Sequence, residues 1–275
     1  MRTLLIDGDV VAYKTATVLE KAIEWEPGYW TWHAQEDQVK VAIEAEIERY
    51  MDELNADQCK IALTDSEKNF RKDILPTYKG NRANVKKPLV LMAIREWLIE
   101  EHDAYLKPRL EGDDVLGILS TWRKLKGEKI IVSIDKDMKT IPGYYCRDLE
   151  LGVIEIDEDE ADYWHMLQTL MGDTTDGYRG CPNVGEKAAV EILKEPRMLY
   201  SEEYTISRGK HAGELRVRWV EGEPCSVWEA IVSRYAKAGL TEADAIVQAR
   251  VARILRASDY DFKAQNPILW TPPSV

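Results

Sequence analysis

The sequence predicts an α/β fold built on a parallel sheet, and three apolar runs of one design carry the prediction. They are Leu4-Leu5-Ile6-Asp7, Ile61-Ala62-Leu63-Thr64-Asp65 and Ile130-Ile131-Val132-Ser133-Ile134-Asp135. Each is short, continuous, rich in branched side chains and closed by aspartate. Such runs read as strands buried on both faces. Between them, residues 39–54 set Val39, Ile43, Ile47, Tyr50, Met51 and Leu54 on one helical face, and residues 90–101 and 113–125 repeat the spacing. Strands alternating with helices mean a layered α/β unit with right-handed crossovers. Ligands of such sheets bind at the carboxyl ends of the strands, so three aspartates delivered to that edge converge. One aspartate there is an ordinary helix cap; three together point to a site.

Beyond about residue 158 the texture changes to Ala-, Leu- and Glu-rich helical stretches at 160–171, 185–194, 226–238 and 242–256. A hairpin interrupts them, with arms 204–207 and 215–219 joined by Gly-Lys-His-Ala-Gly at 209–213. Asp157-Glu158-Asp159-Glu160 puts acids in the first turn of a helix, where the dipole favours them, and marks a boundary. The expected domains are therefore 1–158 and 159–275. A chain of 275 residues suits that division. No apolar run is long enough for a membrane span, and the chain opens directly into a strand without a signal-peptide pattern. Cys59, Cys146, Cys181 and Cys225 are scattered, and neither they nor the four histidines have zinc spacing. A reduced, cytoplasmic setting is expected.

Lys plus Arg total 37 against 49 Asp plus Glu, a net charge of −12. Taken alone, this opposes a passive nucleic-acid-binding surface, unless the acids are gathered around metal ions. They are gathered. Asp7-Gly8-Asp9 leaves the first strand, and Glu111-Gly112-Asp113-Asp114 opens a helix. Asp135 and Asp137, two apart, share one side of an extended segment. Asp173 and Asp176, three apart, fall together on one helical turn. With Asp65 they make an all-oxygen set suited to Mg2+ or Mn2+ rather than zinc. The 111–114 group also reads as a solvated helix cap.

The basic segment is local. Lys68, Arg71, Lys72, Lys79, Arg82, Lys86 and Lys87 face a single acid, Asp73. Tyr78-Lys79-Gly80-Asn81-Arg82 puts two cations beside an aromatic, fit for a phosphate and a stacked base, though a solvated loop is the plainer reading. Gly180-Cys181-Pro182-Asn183-Val184-Gly185-Glu186-Lys187 forms a tight turn whose amides, with the next helix start, can hold a phosphate without reading sequence. An ordinary helix–helix turn is the alternative. Trp25, Trp30 and Trp32 read as core or local packing rather than as a base-stacking platform.

The ordered series DGD (7–9), TD (64–65) with FRK (70–72), YKGNR (78–82), EGDD (111–114), SIDKD (133–137), GDTTDG (172–177) and GCPNVGEKAA (180–189) resembles the structure-specific 5′-nuclease superfamily. It is most similar to the 5′→3′ exonucleases of short-tailed bacteriophages. The resemblance implies a PIN-like nuclease core with a helical arch over about 66–100, followed by a helix–hairpin–helix region. It implies two Mg2+ (or Mn2+) ions: Asp7, Asp65, Glu111 and Asp113 on one, Asp114, Asp135, Asp137, Asp173 and Asp176 on the other. Lys79 and Arg82 match residues at the scissile phosphate, with Asp113 and Asp135 catalytic. Tyr13, helped by Tyr78, matches the aromatic under the terminal base, and Arg71 joins the nucleic-acid contacts. Asn183, Val184, Gly185 and Lys187 would hold duplex backbone, with a K+ ion. Two departures are Asp9, where the wider family often has a neutral residue, and Asn183, where many relatives have glycine. Asparagine tolerates the left-handed backbone such a turn requires.

The implied function is 5′→3′ exonuclease action with 5′-flap endonuclease and RNA–DNA hybrid-degrading activity, leaving 5′-phosphates, in phage DNA replication, degradation or recombination. The expected partners are duplex or flapped DNA and phage replication proteins, for a monomer in the cytoplasm of an infected bacterium. The alternatives are a PIN-type ribonuclease, a non-catalytic DNA-end binding protein, and an acidic cation-buffering protein. The basic segment and the 180–189 turn argue against the first and last, and the second pair of carboxylates against the end-binding protein.

Overall fold

The structure, a computed structural model, describes residues 1–82 and 85–273. The chain forms two units: one holds 1–73, 82–161 and 254–268, the other 74–81, 162–253 and the residues from 269 on. The main crossing falls at Ala161–Asp162, and two short segments, 74–81 and 254–268, lie outside the continuous stretches.

The first unit is a layered α/β structure on a six-stranded sheet. β1 (Arg2–Asp7) runs between β4 (Gln58–Leu63) and β6 (Glu128–Val132), parallel to both. β5 (Tyr105–Leu106) extends the β4 side, and β7 (Gly143–Cys146) pairs parallel with β6. β8 (Val153–Ile156) closes that edge antiparallel, so the sheet is mixed rather than wholly parallel. The link from β7 to β8 is too short for a crossover, which leaves only a hairpin. Strand order β5-β4-β1-β6-β7-β8 means the chain builds outward from β1 to one side and then resumes on the other. A crevice at the carboxyl ends follows from that reversal, between β1 and β6.

All three expected strands form, and Leu4, Leu5, Ile6, Ile61, Leu63, Ile130 and Val132 are buried as a two-sided sheet requires. Leu4 and Ile6 pack with Val11 of α1 (Gly8–Leu19), Ile43 of α2 (Glu36–Glu53) and Ile94 of α4 (Leu91–His102). The opposite side is covered by α5 (Gly112–Thr121). Between α2 and α4 lies α3 (Phe70–Ile74), of five residues, then turns and a short 3-10 helix at Gly80–Arg82. A continuous helical arch is therefore not present among the described residues of 66–100, and residues 83 and 84 lie outside them. Pro76, Gly80 and Pro88 punctuate that stretch and deny it a regular helix.

One element was not expected. β2 (Lys21–Glu26) and β3 (Tyr29–His33) form an antiparallel hairpin turned at Pro27-Gly28, where Gly28 has φ 83°. A left-handed glycine in a short turn between aromatic-rich runs is a hairpin signal. Trp25, Trp30 and Trp32 are 62%, 52% and 47% exposed. They are not core residues; among the described residues no layer covers the two-stranded ribbon to bury them.

In the second unit, α6 (Glu158–Met171), α7 (Glu186–Lys194), α8 (Val227–Lys237) and α9 (Glu242–Ala252) bring Leu167, Leu170, Leu193, Trp228, Ile231, Tyr235 and Ala249 into one core. The hairpin is longer than expected, β9 (Arg197–Thr205) pairing with β10 (Leu215–Pro224). α9 stops at Ala252 rather than 256 because the next residues return to the first unit, where the Leu255 amide donates to Asp114 at 3.1 Å. There β11 (Tyr260–Asp261) pairs with β12 (Asn266–Pro267). No helix of the described residues is long and apolar enough to cross a membrane.

The returning segment lies hard against α5. A Cβ on Gly117 would stand 2.4 Å from the Leu255 carbonyl oxygen, so only glycine fits there. Gly117→Ala should destabilise the protein by about 1–3 kcal/mol, read as a lower denaturant midpoint at unchanged slope.

Candidate active site

The carboxyl edge of the first unit is assembled around Asp7. It ends β1, caps α1 by accepting the Val10 amide at 3.0 Å, and is buried. The register that pairs Ile6 with Val132 brings the next residues, Asp7 and Ser133, together. The Ser133 hydroxyl donates to Asp7 Oδ2 at 2.8 Å and accepts the Asp135 amide at 3.1 Å. Asp135 in turn accepts the Asp137 amide at 2.9 Å and starts a 3-10 turn at Lys136–Thr140. Tyr145 donates to the Asp135 carbonyl at 2.8 Å, and burial pushes its phenol up, so it stays a donor. Neither Ser133 nor Tyr145 was singled out from sequence. Ser133 was visible inside the 133–137 motif, whereas Tyr145 comes from a different strand and left no signal.

Asp9 is committed to the scaffold. It forms an ion pair with Arg95, and its Oδ2 accepts the Thr64 amide at 2.7 Å. Thr64 also accepts the Gly112 amide through its hydroxyl at 2.9 Å, so one network joins the starts of α1 and α5 to the end of β4. Asp65 is partly buried, which works against its charge. The amides of Arg109 (2.7 Å), Glu67 (2.9 Å) and Lys68 (3.4 Å) outweigh that and hold its carboxyl below the ordinary aspartate range.

The next group corrects two expectations. Arg71, expected on nucleic acid, is only 2% exposed and forms a bidentate pair with Asp114 at 2.6 and 2.7 Å. Its guanidinium also lies 3.1 Å from Glu111. Asp114, expected on a metal, is 0% exposed and accepts the Glu111 and Leu255 amides, each at 3.1 Å, besides Arg71. Four donors occupy its two oxygens. It is a buried anchor. Glu111 caps α5 and is buried, while Asp113, on the first turn, is half-buried.

Beside this edge a pocket of about 520 Å3 is lined by Asp9, Tyr13, Lys14, Arg82, Lys87 and Ile134, among others. It combines an exposed aromatic with three cations and lies next to Asp135 in sequence. Tyr13 and Arg82 thus line one pocket.

In the second unit, Asp173 and Asp176 do not sit on a helical turn. Residues 173–178 form a loop closed by an Asp173–Tyr178 bridge, and Asp173 accepts the amides of Thr175 (2.7 Å) and Asp176 (3.2 Å). Gly172 and Gly177, both at positive φ, end the helix and turn the chain back. Tyr78, expected to stack on a base, is buried: its hydroxyl donates to Asp176 at 2.9 Å and its ring stacks with Tyr178. Lys79 Nζ lies 3.5 Å from the same carboxylate. Asn183 takes φ 63°, the left-handed turn expected of it, and Gly185 caps α7 without any side-chain bond. Asn183, Gly185 and Lys187 are exposed and Val184 half-buried.

Among the described residues no three His, Cys, Asp or Glu side chains are grouped to hold one metal ion. The donor chemistry nevertheless fits a hard cation, with carboxylates flanked by hydroxyls. Asp114, with four donors on its two oxygens, does not fit that role. Arg71→Met, which leaves Asp114 buried and unpaired, should cost about 3–5 kcal/mol of stability. A matching loss in chemical denaturation without DNA would identify Arg71 as structural.

Residues 2–158 match the family model described as 5′-3′ exonuclease, N-terminal resolvase-like domain. The chain is 34% identical to the exodeoxyribonuclease of Enterobacteria phage T3 over 98% of its own length and 93% of that protein. It is also 34% identical to the exonuclease of Escherichia phage T7, with the same coverage. Among solved structures, the D15 protein of phage T5, co-crystallized with metal ions, superimposes with a TM-score of 0.59 at 14% identity, covering 92% of this chain and 89% of that one. At that identity the likeness speaks for the fold, that of an α/β nuclease core. With the family model covering more than half the chain and two phage exonucleases matching nearly all of it, the protein belongs to the 5′→3′ exonuclease family.

Proposed function

We propose that this chain hydrolyses DNA phosphodiesters from 5′ ends, acts as a 5′-flap endonuclease and removes RNA from RNA–DNA hybrids, in phage DNA metabolism. The observation that carries the reading is the open pocket at the β1–β6 reversal, where Tyr13, Lys14, Arg82 and Lys87 meet beside the Asp7–Ser133–Asp135 edge. A terminal base stacks on Tyr13, and the cations draw the adjoining phosphate to the carboxylates. Nothing there resembles a reader of base edges, so ends and shape select the substrate. A PIN-like ancestry of the core is part of this proposal.

Asp7, Glu111, Asp113, Asp135 and Asp137, with Asp65, Asp173 and Asp176, are the residues that would hold two divalent ions, Mg2+ or Mn2+. Bound there, such ions acidify water and offset charge on the phosphate. The chain's own groups do the rest. Ser133 and Tyr145 fix Asp7 and Asp135 against drift, and Arg82 steadies the phosphoryl oxygens as charge develops on them. Attack of water on phosphorus, with departure of the 3′-oxygen, leaves the phosphate on the 5′ end. Lys79, 3.5 Å from the Asp176 carboxylate, is the second cation assigned to the phosphate. Asn183, Val184, Gly185 and Lys187 hold the duplex backbone, with a K+ ion at the turn.

With Mg2+ and 5′-labelled duplex or flapped DNA, Asp135→Asn and Asp113→Asn should each lose at least about a hundredfold in cleavage rate, with duplex binding retained. Cleavage at the unsubstituted rate in both would overturn the metal assignment. Tyr13→Ala should raise KM about tenfold or more, as loss of one stacked base does, and chelation of Mg2+ should stop cleavage altogether.

A further inference from the structure

Every residue of β2 and β3 is exposed except the half-exposed Thr31. A lone two-stranded ribbon is marginal in water, and four aromatic residues on it, Trp25, Tyr29, Trp30 and Trp32, ask for a partner. Alternation along β3 puts Trp30 and Trp32 on one face, about 6.6 Å apart along the strand. Trp25 reaches the other face, where its indole donates to Thr31 at 2.8 Å. The Lys86 ammonium stands 3.5 Å over the Trp32 ring and is held there by an ion pair with Glu20, at the end of α1. Val85 and Lys87, on either side of Lys86, line the Tyr13–Arg82 pocket. The chain therefore runs directly from the cationic pocket onto the tryptophan face. Glu24 shares that face but turns its carboxylate to the Gly28 amide at 3.1 Å.

We infer that the Trp30–Trp32 face, with Lys86, binds unpaired DNA bases next to the end-binding pocket, the two indoles stacking on bases and the cation meeting the intervening phosphate. The match is chemical: flat aromatic surfaces accept any base, and the adjoining pocket carries Lys14, Arg82 and Lys87 in a chain that is acidic overall. An apolar protein partner would leave Lys86 and the continuity with the pocket without use. The inference rests on the pocket being the DNA-end site, and it deepens that reading by adding a single-strand platform to it.

The test uses the full chain in chelator, with fluorescence anisotropy of a labelled short oligothymidylate. Trp30→Ala/Trp32→Ala should weaken its binding about tenfold or more, as expected for losing stacked bases. Trp30→Phe/Trp32→Phe should recover most of the affinity, and Trp25→Ala, on the opposite face, should leave it unchanged. With Mg2+, the alanine double variant should cut blunt duplex at an unchanged rate while losing its rate on duplex with an unpaired 5′ tail. Unchanged oligothymidylate affinity in the alanine double variant would overturn the proposal. So would an equal loss in Trp25→Ala, or no recovery with phenylalanine in a variant that melts as the parent does. If the unsubstituted chain cuts no DNA with Mg2+, the nuclease reading falls, whereas the chelator arm still decides the platform.

Discussion

The acidic edge of the first unit depends on one buried guanidinium. Glu111 and Asp114 open the same helix within a turn of each other and are both out of water, an arrangement that like charges resist. Arg71 lies between them and is itself buried, so neither the cation nor the acids could remain there alone. Through Asp114 the same contact reaches the Leu255 amide and fixes where the last part of the chain returns. The start of α5, the placement of α3 and the route of residues 254–268 thus rest on a single cluster. Its conversion to neutral partners would change several elements at once.

Around that cluster the carboxylates differ in their surroundings. Asp9, Asp65 and Asp114 are engaged by an arginine or by backbone amides and shape the edge. Asp113, Asp135 and Asp137 are half-buried at its rim. The net charge of −12 therefore does not describe one repulsive surface. Part of it is neutralised internally, and the adjoining pocket presents Lys14, Arg82 and Lys87. On the proposed reading, a nucleic-acid end meets cations at the opening and carboxylates behind them.

The sheet was legible in the sequence because short aliphatic runs ending in aspartate have few other uses, and α2 because Val39, Ile43 and Ile47 keep helical spacing. Tyr13 and Arg82 were placed together through resemblance alone, since no periodicity links a helix residue to one nearly seventy positions away. Arg71, Asp114 and Tyr78 looked functional because their types are functional; their burial depends on long-range packing that local pattern cannot encode. The tryptophan hairpin failed in the opposite direction. Aromatic residues are usually inside, and only the exposure of β2 and β3 shows that these are not core residues. Asp173 and Asp176 have helical spacing, but Gly172 and Gly177 at positive φ impose a turn instead.

Residues 254–268 belong to a unit whose first strand is residues 2–7, with most of the other unit encoded between them. A growing chain makes the sheet early, yet the Leu255 amide that completes Asp114's donors and the carbonyl that seats against Gly117 follow only after residues 162–253 of the other unit. Domains ordinarily fold as they emerge; this one includes a segment encoded after its neighbour. The acidic edge of a nascent chain, stalled or cut short before residue 254, lacks its last buried donor. The first unit thus draws on residues encoded on both sides of the second.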